Sequence, residues 1–433
     1  MCTVPAASGA ASVRVWHITS RGWDPWTERP LPEVARVAYP LVLPTKEGDL
    51  KDGSSRGRFA ELDALRALAV TIVVWGHSVQ TEIGFGQFKI GGYHAVLLFF
   101  VISGFLITGI LLDVRSAWAR RGDSRWSGLA AFYVRRFLRI FPIYYFGLLA
   151  AFTLMRATVQ GEMRWHLTYL SNWYFAYNGT FGFSSVAHLW SLGVEEQFYL
   201  LWPWFVLFLP EYALPWTLAG MILTGPVSRL ALGILGFNDL SVWITTPTVL
   251  DALGLGCLLA YLWRKTSSAD RFARWAVILA LVLGGLYEGM TVFDTPAYAR
   301  DALKLIPLAL FCMWLVHRAS RGFTGWTGRL LRARPLVYVG KISYAIYLLH
   351  TLTVNLIETR IGSSLPVFGQ PGLPLFVAVM VTTVGAASLS WRFFEQPINS
   401  LKDRFPYAQR FQPFEEKVAL EGSNVVHSRK NSA

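Results

Sequence analysis

Between residues 58 and 400, apolar stretches long enough to cross a bilayer follow one another at short intervals. They fall at about 60–80, 93–112, 137–157, 190–210, 214–235, 247–264, 272–290, 303–318, 335–357 and 372–392. A hydrocarbon core offers the backbone no water, so every N–H and C=O must find its partner within a helix or a closed barrel. Barrel strands alternate in polarity over about ten residues. These runs are longer and uniformly apolar. The chain is therefore expected to be all-α, a polytopic transmembrane helix bundle of about ten spans. The fifth and eighth stretches are the weakest. Gly225–Pro226 and Arg229 interrupt the fifth, and the eighth is short and begins near Lys304.

The charges fall between these stretches, and their sign keeps phase. One set of loops holds Arg115, Arg120, Arg121, Arg125, Arg135 and Arg136, then Arg264, Lys265, Arg271 and Arg274, then Arg318, Arg321, Arg329, Arg332, Arg334 and Lys341. The alternate set holds Lys89, Arg156, Arg164, Arg300, Lys304 and Arg360. Loops rich in Lys and Arg stay on the cytoplasmic side. Both termini are thus expected in the cytoplasm, with the protein integral to a bacterial inner (plasma) membrane. Only 15% of the residues are charged, against about 25% in a soluble domain. The net charge of +13 reads as loop charge that sets topology, and no nucleic-acid partner is expected. Residues 1–58 read as a poorly ordered cytoplasmic extension without a signal-peptide core. Residues 59–400 form the membrane domain, and 401–433 a polar cytoplasmic tail. No internal repeat is evident, which weighs against a transporter built from two similar halves.

Against this background a few ionisable side chains sit inside apolar runs, where each costs a few kcal/mol and usually faces a bundle interior or a wet cavity. Arg66 and His77 lie eleven residues apart in FAELDALRALAVTIVVWGHSV. That is close to three helical turns, so they share a face about 16 Å apart. Glu195 and Glu196 lie in LWSLGVEEQFYLLWPWF. The topology puts His77 and the glutamates at similar depth in the outer half, where a carboxylate could fix the tautomer of a histidine base. His188, Ser191 and Glu195 share one helical face, while Glu196 points about 100° away. Which glutamate serves His77 stays open, as does a structural ion pair for one of them.

FYVRRFLRIFPIYY places Arg135, Arg136 and Arg139 at the cytoplasmic start of the third stretch, with Arg136 and Arg139 on one face. Guanidinium forks suit phosphate, and topological anchoring is the alternative. Ser103–Gly104, a small pair amid bulky residues, suits close helix packing or a yielding channel wall. Asp251 and His350 are further polar residues within apolar runs that either line the same cavity or are paired structurally. Cys2, Cys257 and Cys312 form no metal or disulfide pattern. No Walker loop, nucleophile elbow or zinc spacing occurs, and no metal is expected.

Taken in order, these segments resemble acyltransferase family 3, the integral membrane O-acyltransferases. The stretch from Arg66 to His77 with the preceding LDALR, which contains Asp63, looks like that family's Arg-(ten residues)-His signature. FFVISGFLITGILL, RRFLRIFPIYY, LWSLGVEEQFYLLWP, ISYAIYLLH and WRFFEQP look like further family blocks across about residues 58–400. The resemblance implies transfer of an acyl group, commonly acetyl, from acyl-CoA (acetyl-CoA) to a hydroxyl of a carbohydrate or glycosylated acceptor. A surface polysaccharide or lipopolysaccharide sugar is favoured. It implies His77 as the catalytic histidine, supported by Arg66, with Glu195 and Glu196 as the essential acidic block. Asp63, Arg135, Arg136, Arg139, His188, Ser191, Asp251 and His350 become candidate substrate-binding residues, and acyl-CoA is a substrate and not a resident cofactor. Membrane lipid is the surrounding partner. Buried Arg, His and Glu would also suit a proton-coupled transporter or exporter.

Overall fold

The computed structural model describes residues 60–85, 88–122, 124–266 and 268–407, together with short strands within residues 12–30. Residues 1–55 form a separate unit. In it, Ser12–Val15 pairs antiparallel with Thr27–Pro30, and Ile18–Thr19 with Gly22–Trp23. The rest of the expected extension, and the tail beyond 407, lie outside the described residues.

The second unit is built from helices. Those that matter for the site are α1 (Ala60–Val79), α2 (Gly92–Arg121), α3 (Arg125–Leu154), α4 (Trp190–Phe208), α5 (Leu214–Ile234), α6 (Leu250–Lys265), α7 (Ala269–Val292), α8 (Ile306–Arg321), α9 (Ser343–Leu356) and α10 (Leu373–Ser390). Among the described residues of this unit, the strands are those of a hairpin pairing Ile83–Phe85 with Phe88–Ile90, between α1 and α2.

Among the described residues seven helices are long and apolar enough to cross a membrane, namely α1, α2, α3, α5, α7, α8 and α10 with short flanks on some. The other three expected spans are also helical, but they differ from a plain apolar span for identifiable reasons. α4 has 19 residues and carries Glu195, Glu196 and Gln197 in its middle. α6 has 16 residues and follows a separate 3-10 turn at Pro247–Val249. The stretch expected at 335–357 breaks at Ile342 into a helix at Arg334–Lys341 and the 14-residue α9. In the other direction, α3 begins at Arg125, well before the expected 137. Ser124 caps it by accepting from the N–H of Trp126, so the basic segment is helical.

α2 is the most enclosed of the long helices, with 83% of its apolar window buried. Glycine makes this possible. A Cβ on Gly104 would run into the carbonyl oxygen of Leu253, and one on Gly256 into that of Val101, so α2 and α6 touch backbone to backbone. Small residues allow this approach in an apolar bundle, where dispersion rather than hydrophobic burial holds helices together. Trp202 of α4 donates its indole N–H to Thr108 of α2 at 2.8 Å. By contrast α7 has only 11% of its window buried and turns Leu281 and Val282 outward, a surface suited to lipid.

One end of the bundle carries the arginine-rich turns. There Glu61 of α1 accepts from the backbone N–H of Phe323 and from Arg332, each at about the length of a strong charged bond. Arg264 grips Asp113 through two nitrogens at 2.8 and 3.0 Å. At the opposite end the N–H of Gly372 donates to the carbonyl of Ser78, tying α10 to the end of α1.

Candidate active site

His77 lies in the last turn of α1, at the opposite end. Its ring is open to a cavity of about 440 Å³. Nδ1 lies 3.0 Å from the carbonyl of Val73 one turn back. A carbonyl can only accept, so Nδ1 carries the hydrogen and the neutral ring leaves Nε2 with a free lone pair. Beside it stand two more imidazoles. His350 on α9 is fully buried, with Nδ1 2.6 Å from the carbonyl of Tyr347 and Nε2 3.3 Å from His77 Nδ1. His188, in the 3-10 turn ahead of α4, has its ring 6.3 Å from that of His77 and 4.7 Å from that of His350.

The hydroxyl of Thr351 donates to the carbonyl of Ser185 and therefore accepts from His188 Nδ1 at 2.9 Å. His188 Nε2 is buried and has no hydrogen-bond partner among the described residues. Burial, then the imidazoles of His350 and His77, push the His188 pKa well below its ordinary 6.5. The cavity that His77 and His188 border is also lined by Tyr93, Trp190, Trp243 and Phe181 and by aliphatic side chains, and Glu82 and Lys304 bring charge to it.

A second, narrower cavity of about 80 Å³ lies toward the basic end. Its lining includes Arg66 from α1, Arg136 and Arg139 from α3, and Lys341 from the turn before α9, against the single carboxylate of Glu195. Four cations to one anion make it a place for a polyanion. Ser103 donates to Glu195 at 2.6 Å, and Tyr199 donates to Ser103 at 3.0 Å. The Arg136 guanidinium lies 5.4 Å from the Tyr199 ring, a cation–π distance. Val96 and Tyr347 border both cavities, so the two lie back to back through the bundle.

The expected residues are thus distributed between two places. His77 and His188 line one cavity, with His350 packed behind them; Arg66, Arg136, Arg139, Ser191 and Glu195 line the other. The expected pairing of His77 with a glutamate is not what the fold builds. Glu195 faces the arginine cavity, and His77 is held by a carbonyl and an imidazole instead. Glu195 lies several residues into α4, beyond the turn where His188 stands beside His77, and so it shares a cavity with Arg66 and not with His77. Glu196, the next residue along α4, lies among Tyr144, Tyr145, Tyr169 and Tyr344.

Three further candidates need correction. Asp251 reaches neither cavity. It is 1% exposed and pairs with the fully buried Arg229 at 2.7 Å, which also explains how an arginine survives inside α5. Arg135 also turns away, donating to the carbonyls of Lys402 and Phe405 and pinning the segment after α10. Asp63 stands at the mouth of the basic cavity, 3.8 Å from Arg66, without lining it.

The sequence did not single out Tyr347, Tyr344, Tyr199 or Lys341. Lys341 read as loop charge, and no spacing or motif set these three tyrosines apart from the other aromatics of the apolar stretches. Tyr347 in fact donates to the carbonyl of His188 at 2.9 Å and lies 2.6 Å from Ser191 Oγ. The Ser103–Gly104 pair divides its work: the serine faces Glu195, and the glycine admits α6.

Residues 59–392 match the family described as Acyltransferase domain. The chain is 30% identical over 378 residues to the peptidoglycan O-acetyltransferase OatA of Listeria monocytogenes, covering 79% of this chain and 56% of that protein. It is 29% identical over 364 residues to the O-acetyltransferase OatA of Staphylococcus aureus, covering 78% and 56%. It is 28% identical over 387 residues to a putative O-acetyltransferase of the same species, covering 81% and 59%. The chain thus spans a little over half the length of these relatives. No solved structure matches it.

Proposed function

The chain belongs to the family of acyltransferase domains matched by residues 59–392, and on that premise we propose that it is a membrane-embedded O-acyltransferase. It moves an acetyl group from acetyl-CoA to a hydroxyl of a cell-surface carbohydrate. The single observation that carries this reading is the shared wall: a four-cation cavity and a histidine cavity meet at Val96 and Tyr347. The names of its relatives, acetyltransferases of which one acts on peptidoglycan, support the acetyl group and the glycan. With the basic end in the cytoplasm, as the loop charges favour, the donor enters from the cytoplasm and the acceptor from the other face of a bacterial plasma membrane.

In this reading the phosphates of acetyl-CoA lie against Arg136, Arg139 and Lys341, where forked guanidinium groups bond phosphate oxygens in pairs. The pantetheine arm passes Arg66 toward Tyr347. The acceptor hydroxyl comes to His77 Nε2, which takes its proton as the oxygen attacks the thioester carbon. The same proton then goes to the departing CoA sulfur, so the transfer yields an ester and free thiol. An alternative order, in which His77 carries the acetyl group briefly, uses the same lone pair.

The test uses purified full-length protein in lipid nanodiscs, acetyl-CoA, and a panel of glycans that includes a peptidoglycan disaccharide, a lipopolysaccharide sugar and a capsular oligosaccharide. Acceptor-dependent release of CoA, with an acetylated glycan in the mass spectrum, is the expected result. Acceptor-dependent transfer undiminished in His77→Ala would remove His77 from the chemistry.

A further inference from the structure

We propose that His350 is the positioning residue of His77, a neutral imidazole standing where a Ser-His-Asp triad has its buried carboxylate. This rests on His77 being the base. In such a triad the third group fixes the tautomer and orientation of the histidine and stabilises the imidazolium, without itself taking the proton. Among the described residues no carboxylate bonds His77; its ring hydrogen has two acceptors instead. One is the carbonyl of Val73 at 3.0 Å and the other is His350 Nε2 at 3.3 Å.

The direction of that second bond follows from the atoms around it. Tyr347 presents a carbonyl to His350 Nδ1 at 2.6 Å, and a carbonyl only accepts, so the hydrogen of His350 is on Nδ1. Nε2 of the neutral ring is then a lone pair, aimed at the Nδ1–H of His77. The bond is shared and long while His77 is neutral. When His77 Nε2 takes the acceptor's proton, the ring becomes cationic and its Nδ1–H a stronger donor, and both acceptors respond. The Nδ1 proton stays on His77 throughout. Two acceptors set at an angle also fix the ring plane, which a single carbonyl leaves free to rock.

His350 is suited to this because it cannot move. It is fully buried, locked to its own helix at Tyr347, and packed on the His188 ring at 4.7 Å. His188 cannot do the same work for His77, because its Nδ1 is committed to Thr351 and its ring is 6.3 Å away. A neutral partner also suits the place. A buried carboxylate here would need its own desolvation offset, whereas the imidazole brings an acceptor without a charge.

The experiment compares His77→Ala, His350→Phe, His350→Gln and His350→Asn as full-length proteins in nanodiscs, with kcat and KM measured for acetyl-CoA and for the glycan that the wild type acetylates. Phe keeps the ring volume and removes the acceptor. Gln can place its oxygen near the site of Nε2, and Asn is too short to do so. The proposal expects kcat in His350→Phe to fall by about a hundredfold, the cost of a misplaced catalytic group, with both KM values within about twofold. It expects His350→Gln to recover about tenfold of that loss and His350→Asn to recover little. Should His350→Phe fail to fold, the Gln–Asn comparison decides alone, each variant being checked for an unchanged melting temperature. A His350→Phe with wild-type kcat, a loss expressed in KM alone, or equal kcat in the Gln and Asn variants each overturns it. An active His77→Ala would instead overturn the catalytic reading beneath it, so the two failures are distinguishable.

Discussion

Ser103 on α2 donates its hydroxyl to Glu195 on α4 at 2.6 Å, and Tyr199, one turn further along α4, donates to that serine at 3.0 Å. The chain of donors lets a carboxylate stand in the wall of a helix bundle. It also gives the acidic block a different task from holding a histidine: it sets the charge of the cavity that the arginines dominate.

Removing the hydroxyl leaves the carboxylate short of its donor. Ser103→Ala should lower stability by about 1–3 kcal/mol, the cost of an unmet buried polar group, while Ser103→Thr, which keeps the hydroxyl, should lose less. Thermal unfolding in detergent, read by a thiol-free dye or by solubility, measures both. Equal melting temperatures for Ser103→Ala and the wild type would count against this bond as a support.

The three arginines of α3 should separate cleanly. Arg136 and Arg139 line the basic cavity, and Arg135 holds the carbonyls of Lys402 and Phe405. Arg136→Ala is expected to raise the KM for acetyl-CoA by about tenfold, equivalent to about 1.4 kcal/mol, with a smaller change for the acceptor. Arg135→Ala should leave that KM near the wild-type value and loosen the segment at 401–407, visible as faster proteolysis there. A KM effect of equal size in both variants would mean that the cavity is not the donor site.

Arg229 and Asp251 are a buried pair, and breaking it should cost more than replacing it. Asp251→Asn or Arg229→Met alone leaves one uncompensated partner and should destabilise by about 3–5 kcal/mol. The combined Arg229→Met/Asp251→Asn variant should regain much of that. Melting temperatures of the three proteins give the coupling. Additive losses would show that the two side chains act independently.

His188 offers a buried, unpartnered Nε2 to the histidine cavity. His188→Phe is expected to raise the KM for the glycan by about tenfold, the loss of a hydrogen bond worth about 1.4 kcal/mol, and to leave the KM for acetyl-CoA unchanged. Acceptor titrations at saturating acetyl-CoA check it. A donor KM that rises while the acceptor KM stays fixed would place His188 on the wrong side of the bundle.

The membrane character of the fold was legible because burial in lipid forbids most alternatives: the apolar runs became helices, and α1 carried Arg66 and His77 to opposite ends, as their spacing required. What the sequence could not reveal was rotation. The expected equal depth of Glu195 and His77 is not kept: α4 brings its glutamate to Arg66 and Arg136, toward the basic end, and only packing decides which way a helix faces. The same limit hid Asp251, whose partner Arg229 had looked like a flaw in a span. His350 and His188 were visible as polar residues in apolar surroundings, yet their meeting with His77 depends on α9 crossing between α1 and the turn before α4. Lys341 was hidden in plain view, since a lysine at a loop is what topology demands anyway.

α9 has a consequence for how such a protein can change. Within about two turns it contributes Ser343 and Tyr344 to one cavity, Tyr347 to both, and His350 to the reactive ring. A substitution on α9 that widens the basic cavity therefore disturbs the support of His77 at the same time. Phe99 and Phe100 of α2 border the basic cavity alone and reach the histidine cavity only through the rings they pack against, Tyr347 and Trp190. On the proposed function, retuning toward a longer acyl chain would start from those two phenylalanines, with the sequence of α9 held still.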